Sequence, residues 1–130
     1  MNVFSFSLTE TDFVSIRSAL RLWGKSNDIV EGYDNAQLNR HFEMWANFVQ
    51  TDWRDWDISE YNHDIGCRYW IQIAIDYATP QTRNLLEKSV QPIDEIFKTK
   101  MKLCSNQQNS SKMPQSGQPY FWETNTIYPE

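Results

Sequence analysis

The chain has 130 residues, a net charge of −5 at pH 7 and 40% hydrophobic residues. This length fits a single domain that buries enough surface to fold without disulfides or metals. The acidic excess argues against binding to a nucleic-acid backbone, which requires clustered Lys and Arg side chains.

The start of the sequence has no basic region followed by an apolar run, and no apolar stretch approaches the roughly 18 residues of a membrane span. We therefore expect neither a signal peptide nor membrane insertion.

The two cysteines, Cys67 and Cys104, lack a disulfide framework, which suits a reducing cytoplasm. A single disulfide between them stays compatible with the sequence.

A capping signal precedes the first predicted helix. Ser7-Leu-Thr-Glu10 has the form of a capping box, and Thr9 is an equally good N-cap. Gly24 stands where a helix C-terminal cap belongs, so we predict a helix that runs to about Gly24. Apolar residues recur between these signals at the spacing of one helical stripe, at Phe13, Ile16, Leu20 and Trp23.

Residues 25–33 are predicted as a polar connector, and the second helix then runs from Asp34 or Asn35 to about Thr51. We interpret His41, next to the apolar stripe, as a hydrogen-bonded histidine at the core boundary rather than a ligand or a base. The predicted buried face consists of Leu38, Phe42, Trp45, Phe48 and Val49.

The third predicted helix, Ser59 to Ala78, is expected to be central. From Trp70 onward its only strongly polar residues are Gln72 and Asp76, and a helix that is apolar on most sides has to be surrounded. The alternation of apolar and polar residues in this half also suits a strand. Roughly 20 residues with Gly66 as the only breaker exceed the usual strand length of about 3–10, so we favour a helix.

Thr79-Pro80 begins the fourth predicted helix, because proline is well tolerated at the first helical position. We expect Pro92 to kink this helix or to split it near Val90. Residues 104–118 are polar and aperiodic, which predicts a flexible loop, and residues 119–130 regain aromatics, which predicts a tail that packs back on the core. The apolar stripe of the fourth predicted helix consists of Leu86, Val90, Ile93, Phe97 and Met101.

Together these elements predict an all-α fold. We expect one domain, residues 1–130, that forms an antiparallel bundle of four main helices, with residues 59–78 at its centre and the aromatic C-terminal tail packed over it.

No pattern in the sequence specifies a catalytic or metal site. Glu60-Tyr-Asn-His63 has the Glu-x-x-His spacing of di-iron bundles, but those sites need the pair twice and two further carboxylates. Asp94 and Glu95 are interpreted as surface charges, with Asp94 placed to pair with Lys98. A Gly-rich phosphate loop, a nucleophile elbow and a Cys-His signature are absent from the sequence. We therefore expect no enzyme, no metal and no cofactor.

Negative charge is concentrated in one part of the chain. Nine acidic and two basic residues lie between Ser26 and Asp64, whereas Ile65 to Cys104 holds four acidic and six basic residues. Within the acidic part, Thr51–Asp57 interleaves two tryptophans with three aspartates.

Tryptophan is among the commonest hot-spot residues at protein interfaces, and acids around such an anchor would steer a basic partner. The alternative is that Trp53 and Trp56 cap the core between the second and third predicted helices, while the aspartates cap the third. The predicted partner-binding residues are Asp52, Trp53, Asp55, Trp56, Asp57 and Glu60.

Three features of the second half of the chain carry a resemblance to a known class of proteins. Glu60-Tyr-x-His-Asp64 opens a helix, the Leu85-Leu86 helix continues into Pro92-Ile-Asp-Glu-x-Phe97, and an aromatic tail surrounds Tyr120-Phe-Trp122. In these features the chain resembles small all-helical immunity proteins of bacterial contact-dependent or polymorphic toxin systems. The resemblance implies a cytoplasmic inhibitor that binds one cognate toxin domain, often a basic nuclease, and blocks it.

We therefore expect a non-enzymatic, protein-binding inhibitor of the immunity type that occludes a basic partner and binds neither nucleic acid nor membrane. Two alternatives stay open. One is a secretion chaperone or adaptor, which is also small and acidic. The other is an enzymatic or small-ligand-binding helical domain with its pocket between helices.

Overall fold

The computed structural model describes residues 4–56 and 58–106, apart from the side chains of residues 58–60, 62 and 104–106. This part of the chain contains α-helices and one short 3₁₀ turn, Trp53–Asp55, and has no strand. The predicted all-α class is therefore confirmed. The helices are α1 (Glu10–Leu22), α2 (Asn27–Glu31), α3 (Asn35–Gln50), α4 (Ile58–Tyr77) and α5 (Pro80–Asn106).

Local sequence signals determine where α1 begins and ends. The Thr9 side chain accepts a hydrogen bond from the Asp12 N–H, and the Asp12 carboxylate accepts one from the Thr9 N–H, which completes a capping box. After α1 the chain passes through Gly24 at φ 87°, a left-handed conformation that glycine adopts without strain. The N–H groups of Gly24 and Lys25 then satisfy two terminal carbonyls of the helix, as the predicted cap requires.

The segment between α1 and α3 differs from its prediction. Residues 27–31 form the short helix α2, where a polar connector was expected, and Val30 and Tyr33 are buried. A helix of five residues has too few turns to display a hydrophobic period, so the sequence pattern did not reveal it. At the next boundary, the predicted cap is confirmed, because the Asp34 carboxylate accepts a hydrogen bond of 2.9 Å from the Gln37 N–H.

Helix α4 lies at the centre of the described structure and packs against α1, α3 and α5. This placement agrees with the prediction from its nearly uniform apolar composition. Its contribution to the core includes Ile71, Ile73, Ala74 and Ile75.

Helix α5 runs through Pro92 without a break, so of the two expected effects, a kink or a split near Val90, the split does not occur. Pro92 is exposed, while Ile93, Phe97 and Met101 are buried on the other side. Burial of that apolar face holds the helix together across the missing backbone hydrogen bond. The helix also continues through residue 106, three residues into the predicted loop. The rest of that loop and the predicted tail, residues 107–130, lie outside the described residues.

A buried ion pair joins α4 to α5. Arg68 is 2% exposed, and its guanidinium binds both carboxylate oxygens of Asp94, with Nη2 2.8 Å from Oδ2 and Nε 3.0 Å from Oδ1. The indole Nε1 of Trp45 on α3 donates a further hydrogen bond of 2.9 Å to Asp94, and Arg68 Nη1 donates to Gln72. The prediction that Asp94 is a surface charge paired with Lys98 was therefore wrong.

A second buried carboxylate joins the start of α1 to the turn between α4 and α5. Besides the Thr9 N–H, Asp12 accepts hydrogen bonds of 2.8 Å from the Thr79 N–H and from the Thr82 hydroxyl. Burial alone would raise the pKa of Asp12, but these hydrogen bonds together outweigh it and lower the pKa to about 2.

Replacing Asp12 with Asn tests this connection. A carboxylate pKa of about 2 in the folded chain, against an ordinary 3.8, corresponds to about 2 kcal/mol of stability. Because the folded-state pKa is the lower one, this stability is present above the unfolded pKa and is lost as the pH falls towards the folded one. Urea unfolding of Asp12→Asn should give a free energy of unfolding about 2 kcal/mol below that of the parent at neutral pH.

The difference between the two proteins should shrink as the pH falls below about 4. Glu10→Gln is the matched control, since it neutralises an exposed carboxylate in the same turn. A difference that keeps its full size in acid would contradict a role for the Asp12 charge.

The buried ion pair of Arg68 and Asp94 can be tested through the free energy of unfolding of variants. Arg68→Met leaves a buried carboxylate without its counter-charge and should lower the free energy of unfolding by about 3–5 kcal/mol. Adding Asp94→Asn removes that charge and keeps an acceptor for the Trp45 indole, so the double variant should recover a large part of the loss. Chemical denaturation of all four proteins measures the coupling, and strictly additive losses would show that the two side chains do not act as a pair.

Candidate functional site

The predicted binding segment lies between α3 and α4 and is held in place from several sides. The Asp52 carboxylate accepts a hydrogen bond of 3.0 Å from the Arg54 N–H and thereby caps the 3₁₀ turn, which packs against α5. Lys100 on α5 donates hydrogen bonds to the carbonyls of Val49 and Thr51 at the end of α3. The cation at this helix C-terminus also interacts favourably with the helix dipole.

The structure places Trp56 in the core. Its side chain is 2% exposed, its Nε1 donates a hydrogen bond of 3.2 Å to the Phe48 carbonyl, and its ring stacks 4.7 Å from that of Phe48. The prediction of an exposed anchor at Trp56 is therefore corrected. For this residue the alternative applies, because the 3₁₀ turn directs its indole inward against Phe48 and Phe97.

Three of the predicted residues form a continuous surface, which we call the Trp53 surface: Asp52, Trp53 and Asp55. The indole of Trp53 is half-buried, and both carboxylates are exposed. Arg54 forms an ion pair of 3.1 Å with Asp52, and its guanidinium carbon lies 5.1 Å from the centre of the Trp53 ring. Asp57 lies outside the described residues, as does the side chain of Glu60.

Charge at the Trp53 surface is partly balanced. The backbone hydrogen bond from Arg54, together with the positive charges of Arg54 and Lys100, holds the pKa of Asp52 below its ordinary value. Asp52 is therefore ionised at neutral pH, but the cations beside it make the surface less negative than the sequence alone suggests.

Sequence analysis missed a second site, a cavity of about 310 Å³ where α2, α3 and α4 meet. Trp70 of α4 provides its aromatic centre. The His41 ring lies 5.1 Å from the Trp70 ring at an interplanar angle of 28°, and the Tyr33 ring lies 6.1 Å away at 13°. We call it the Trp70 cavity, and its lining consists of Asp28, Ile29, Gly32, Tyr33, Gln37, His41 and Trp70.

Two buried polar atoms of the Trp70 cavity residues have no hydrogen-bond partner within the described structure, the Tyr33 hydroxyl and His41 Nδ1. Burial, helped by the charge of Asp34, raises the pKa of Tyr33. Burial and the charge of Arg40 lower the pKa of His41 to about 4. Both side chains are therefore uncharged at neutral pH. His41 does lie at the core boundary, but the hydrogen bond predicted for it is not present at Nδ1.

The neighbouring cavity, of about 290 Å³ between α3 and α4, contains the only described thiol. Cys67 is a free, buried cysteine whose Sγ lies 3.9 Å from Met44 Sδ. Burial, with the negative charge of Asp64, raises the pKa of Cys67 to about 11, so it is a protonated thiol rather than a nucleophile. Among the described residues, no group of three or more His, Cys, Asp or Glu side chains is arranged to hold a metal ion.

No protein-family model, curated protein or solved structure matches this chain. In the described ranges, none of the helices combines the length and the apolar character that crossing a membrane requires.

The different burial of Trp53 and Trp56 is directly testable. Trp56→Ala should lower the free energy of unfolding by about 3–5 kcal/mol, because it removes a buried ring and leaves a cavity. Trp53→Ala, the matched control three residues away, should cost less, since its indole is only partly buried. Equal losses in denaturant unfolding would show that both indoles belong to the core.

Proposed function

We propose that this chain is a non-enzymatic binding protein of the immunity type, which inhibits a basic protein domain by occluding it through the Trp53 surface. One observation carries the proposal: the indole of Trp53, which packs against the core but keeps part of its surface in solvent, lies in the same turn as two exposed carboxylates, Asp52 and Asp55. An aromatic anchor within a charged rim is the composition of an interface hot spot.

The position of the Trp53 surface supports this function. Asp52 caps the turn, Trp56 anchors its end in the core, and Lys100 holds the preceding carbonyls. A surface that is already ordered loses little conformational entropy on binding, so more of the contact energy appears as affinity.

The charge of the Trp53 surface favours a cationic partner. Although Asp52 already contacts Arg54, that ion pair is exposed and such pairs contribute only about 0–1 kcal/mol. An incoming Lys or Arg side chain can therefore replace Arg54 at little cost. The concentration of acidic residues between Ser26 and Asp64 would add long-range attraction and raise the association rate.

Inhibition, rather than another consequence of binding, is supported by the resemblance of the second half of the chain to immunity proteins. An inhibitor of this kind forms a 1:1 complex with a folded domain. A secretion chaperone would instead bind an unfolded segment, usually as a dimer, so analytical ultracentrifugation of the complex separates these two functions.

The interface is tested with the charge-neutralising double variant Asp52→Asn/Asp55→Asn. Proteins that co-purify with the parent chain from its native cell are identified, and the affinity of each purified candidate is measured at low and high salt. The double variant should bind at least about tenfold more weakly at low salt, with a smaller salt dependence, because two attractive charges are lost.

Glu10→Gln/Glu87→Gln is the matched control, since it removes two exposed negative charges from α1 and α5 and should leave the affinity nearly unchanged. If both double variants bind like the parent at every salt concentration, the Trp53 surface is not the interface. If both weaken binding equally, only net charge matters.

A further inference from the structure

We propose that the Trp70 cavity binds a planar organic cation of the amidinium or guanidinium type. The inference does not depend on the proposed function, because the cavity shares no residue with the Trp53 surface. Its volume of about 310 Å³ lies at the lower end of the range for ligand pockets, about 300–1,000 Å³, and suits a small molecule or a single side chain.

The walls of the Trp70 cavity favour a flat ligand. The indole of Trp70, the imidazole of His41 and the phenol of Tyr33 are within 30° of parallel in the two stacked pairs. Ile29 is 47% exposed and adds an aliphatic surface at the opening. A planar group that lies in the cavity against these lining rings gains stacking and apolar contact along its face.

The charge of the lining favours a cation. Asp28 is the only charged residue among the lining residues, and it is exposed. The two buried polar atoms without partners, the Tyr33 hydroxyl oxygen and His41 Nδ1, can both accept a hydrogen bond in their neutral forms. A ligand rich in N–H donors would complement all three groups, and pairing a buried polar atom recovers part of the free energy that leaving it unpaired costs.

The Trp70 ring already attracts a cation. Lys25 Nζ lies 5.3 Å from the centre of that ring, although it is closer to Trp23, at 4.4 Å, and is not part of the cavity lining. An amidinium or guanidinium suits the cavity better than an ammonium, because its planar fork can stack on an aromatic face and bind a carboxylate with two N–H groups.

Three ring compounds of nearly equal shape test the charge preference: benzamidine, benzamide and benzoate. NMR titration of the full chain should show benzamidine binding with shifts at the cavity residues, benzamide binding at least about tenfold more weakly, and benzoate not binding. Absence of benzamidine binding up to about 10 mM, or equal affinity for benzamide, would overturn the proposal.

N-acetyl-arginine methylamide and its lysine counterpart then identify the source of the cation. Stronger binding of the arginine compound than of the lysine compound supports a guanidinium displayed by a protein. Binding of benzamidine without either amino-acid compound supports a free planar amidine. Stronger binding of the lysine compound contradicts the preference for a planar cation.

Two variants test whether Asp28 and Tyr33 contribute to benzamidine binding. Asp28→Asn should weaken benzamidine binding by up to about fivefold, whereas Glu31→Gln, which neutralises an exposed acid of the same helix outside the cavity lining, should not. Tyr33→Phe should weaken binding without loss of stability, since it removes an unpaired hydroxyl and keeps the ring. Unchanged binding in both Asp28→Asn and Tyr33→Phe would place the ligand elsewhere and overturn the proposal.

Discussion

The buried pair of Arg68 and Asp94 is the interaction on which the helix arrangement depends. Removing both charges from water is costly, and the cost is offset only if every donor and acceptor is in place. The two-point contact between them, the indole hydrogen bond from Trp45 and the bond from Arg68 to Gln72 meet that demand. These bonds have defined lengths and directions, so they specify how α3, α4 and α5 lie against one another more narrowly than apolar packing does.

The arrangement of these helices determines the form of the Trp53 surface. With α3 beside α5, Lys100 reaches the carbonyls at the end of α3, and Trp56 packs between Phe48 and Phe97. The short turn between those two attachments leaves Trp53 only partly buried, with Asp52 and Asp55 in solvent. One of two tryptophans in the same segment therefore completes the core, while the other keeps part of its indole in solvent.

The Trp70 cavity has a different origin. Its residues come from α2, the turn after it, the first half of α3 and the middle of α4. Arg17 of α1 donates a hydrogen bond of 2.8 Å to the Tyr33 carbonyl and so fixes the turn that carries the phenol. None of these residues marks a site by itself. The cavity with its unpaired polar atoms forms only when these segments pack against one another. No spacing in the sequence could indicate it, especially since α2 itself was not predicted.

The sequence alone determined the helical class, the caps at Thr9 and Asp34, the start of α5 at Pro80 and the central position of α4, because hydrophobic period and capping act within a few residues. Only the tertiary structure decided that Asp94 is buried, that Pro92 does not divide α5 and that Trp56 is fully buried whereas Trp53 is only partly buried. Whether a side chain is buried depends on segments that are distant in the sequence. An aspartate or a tryptophan can therefore lie in the core or on the surface, and only the packed structure shows which.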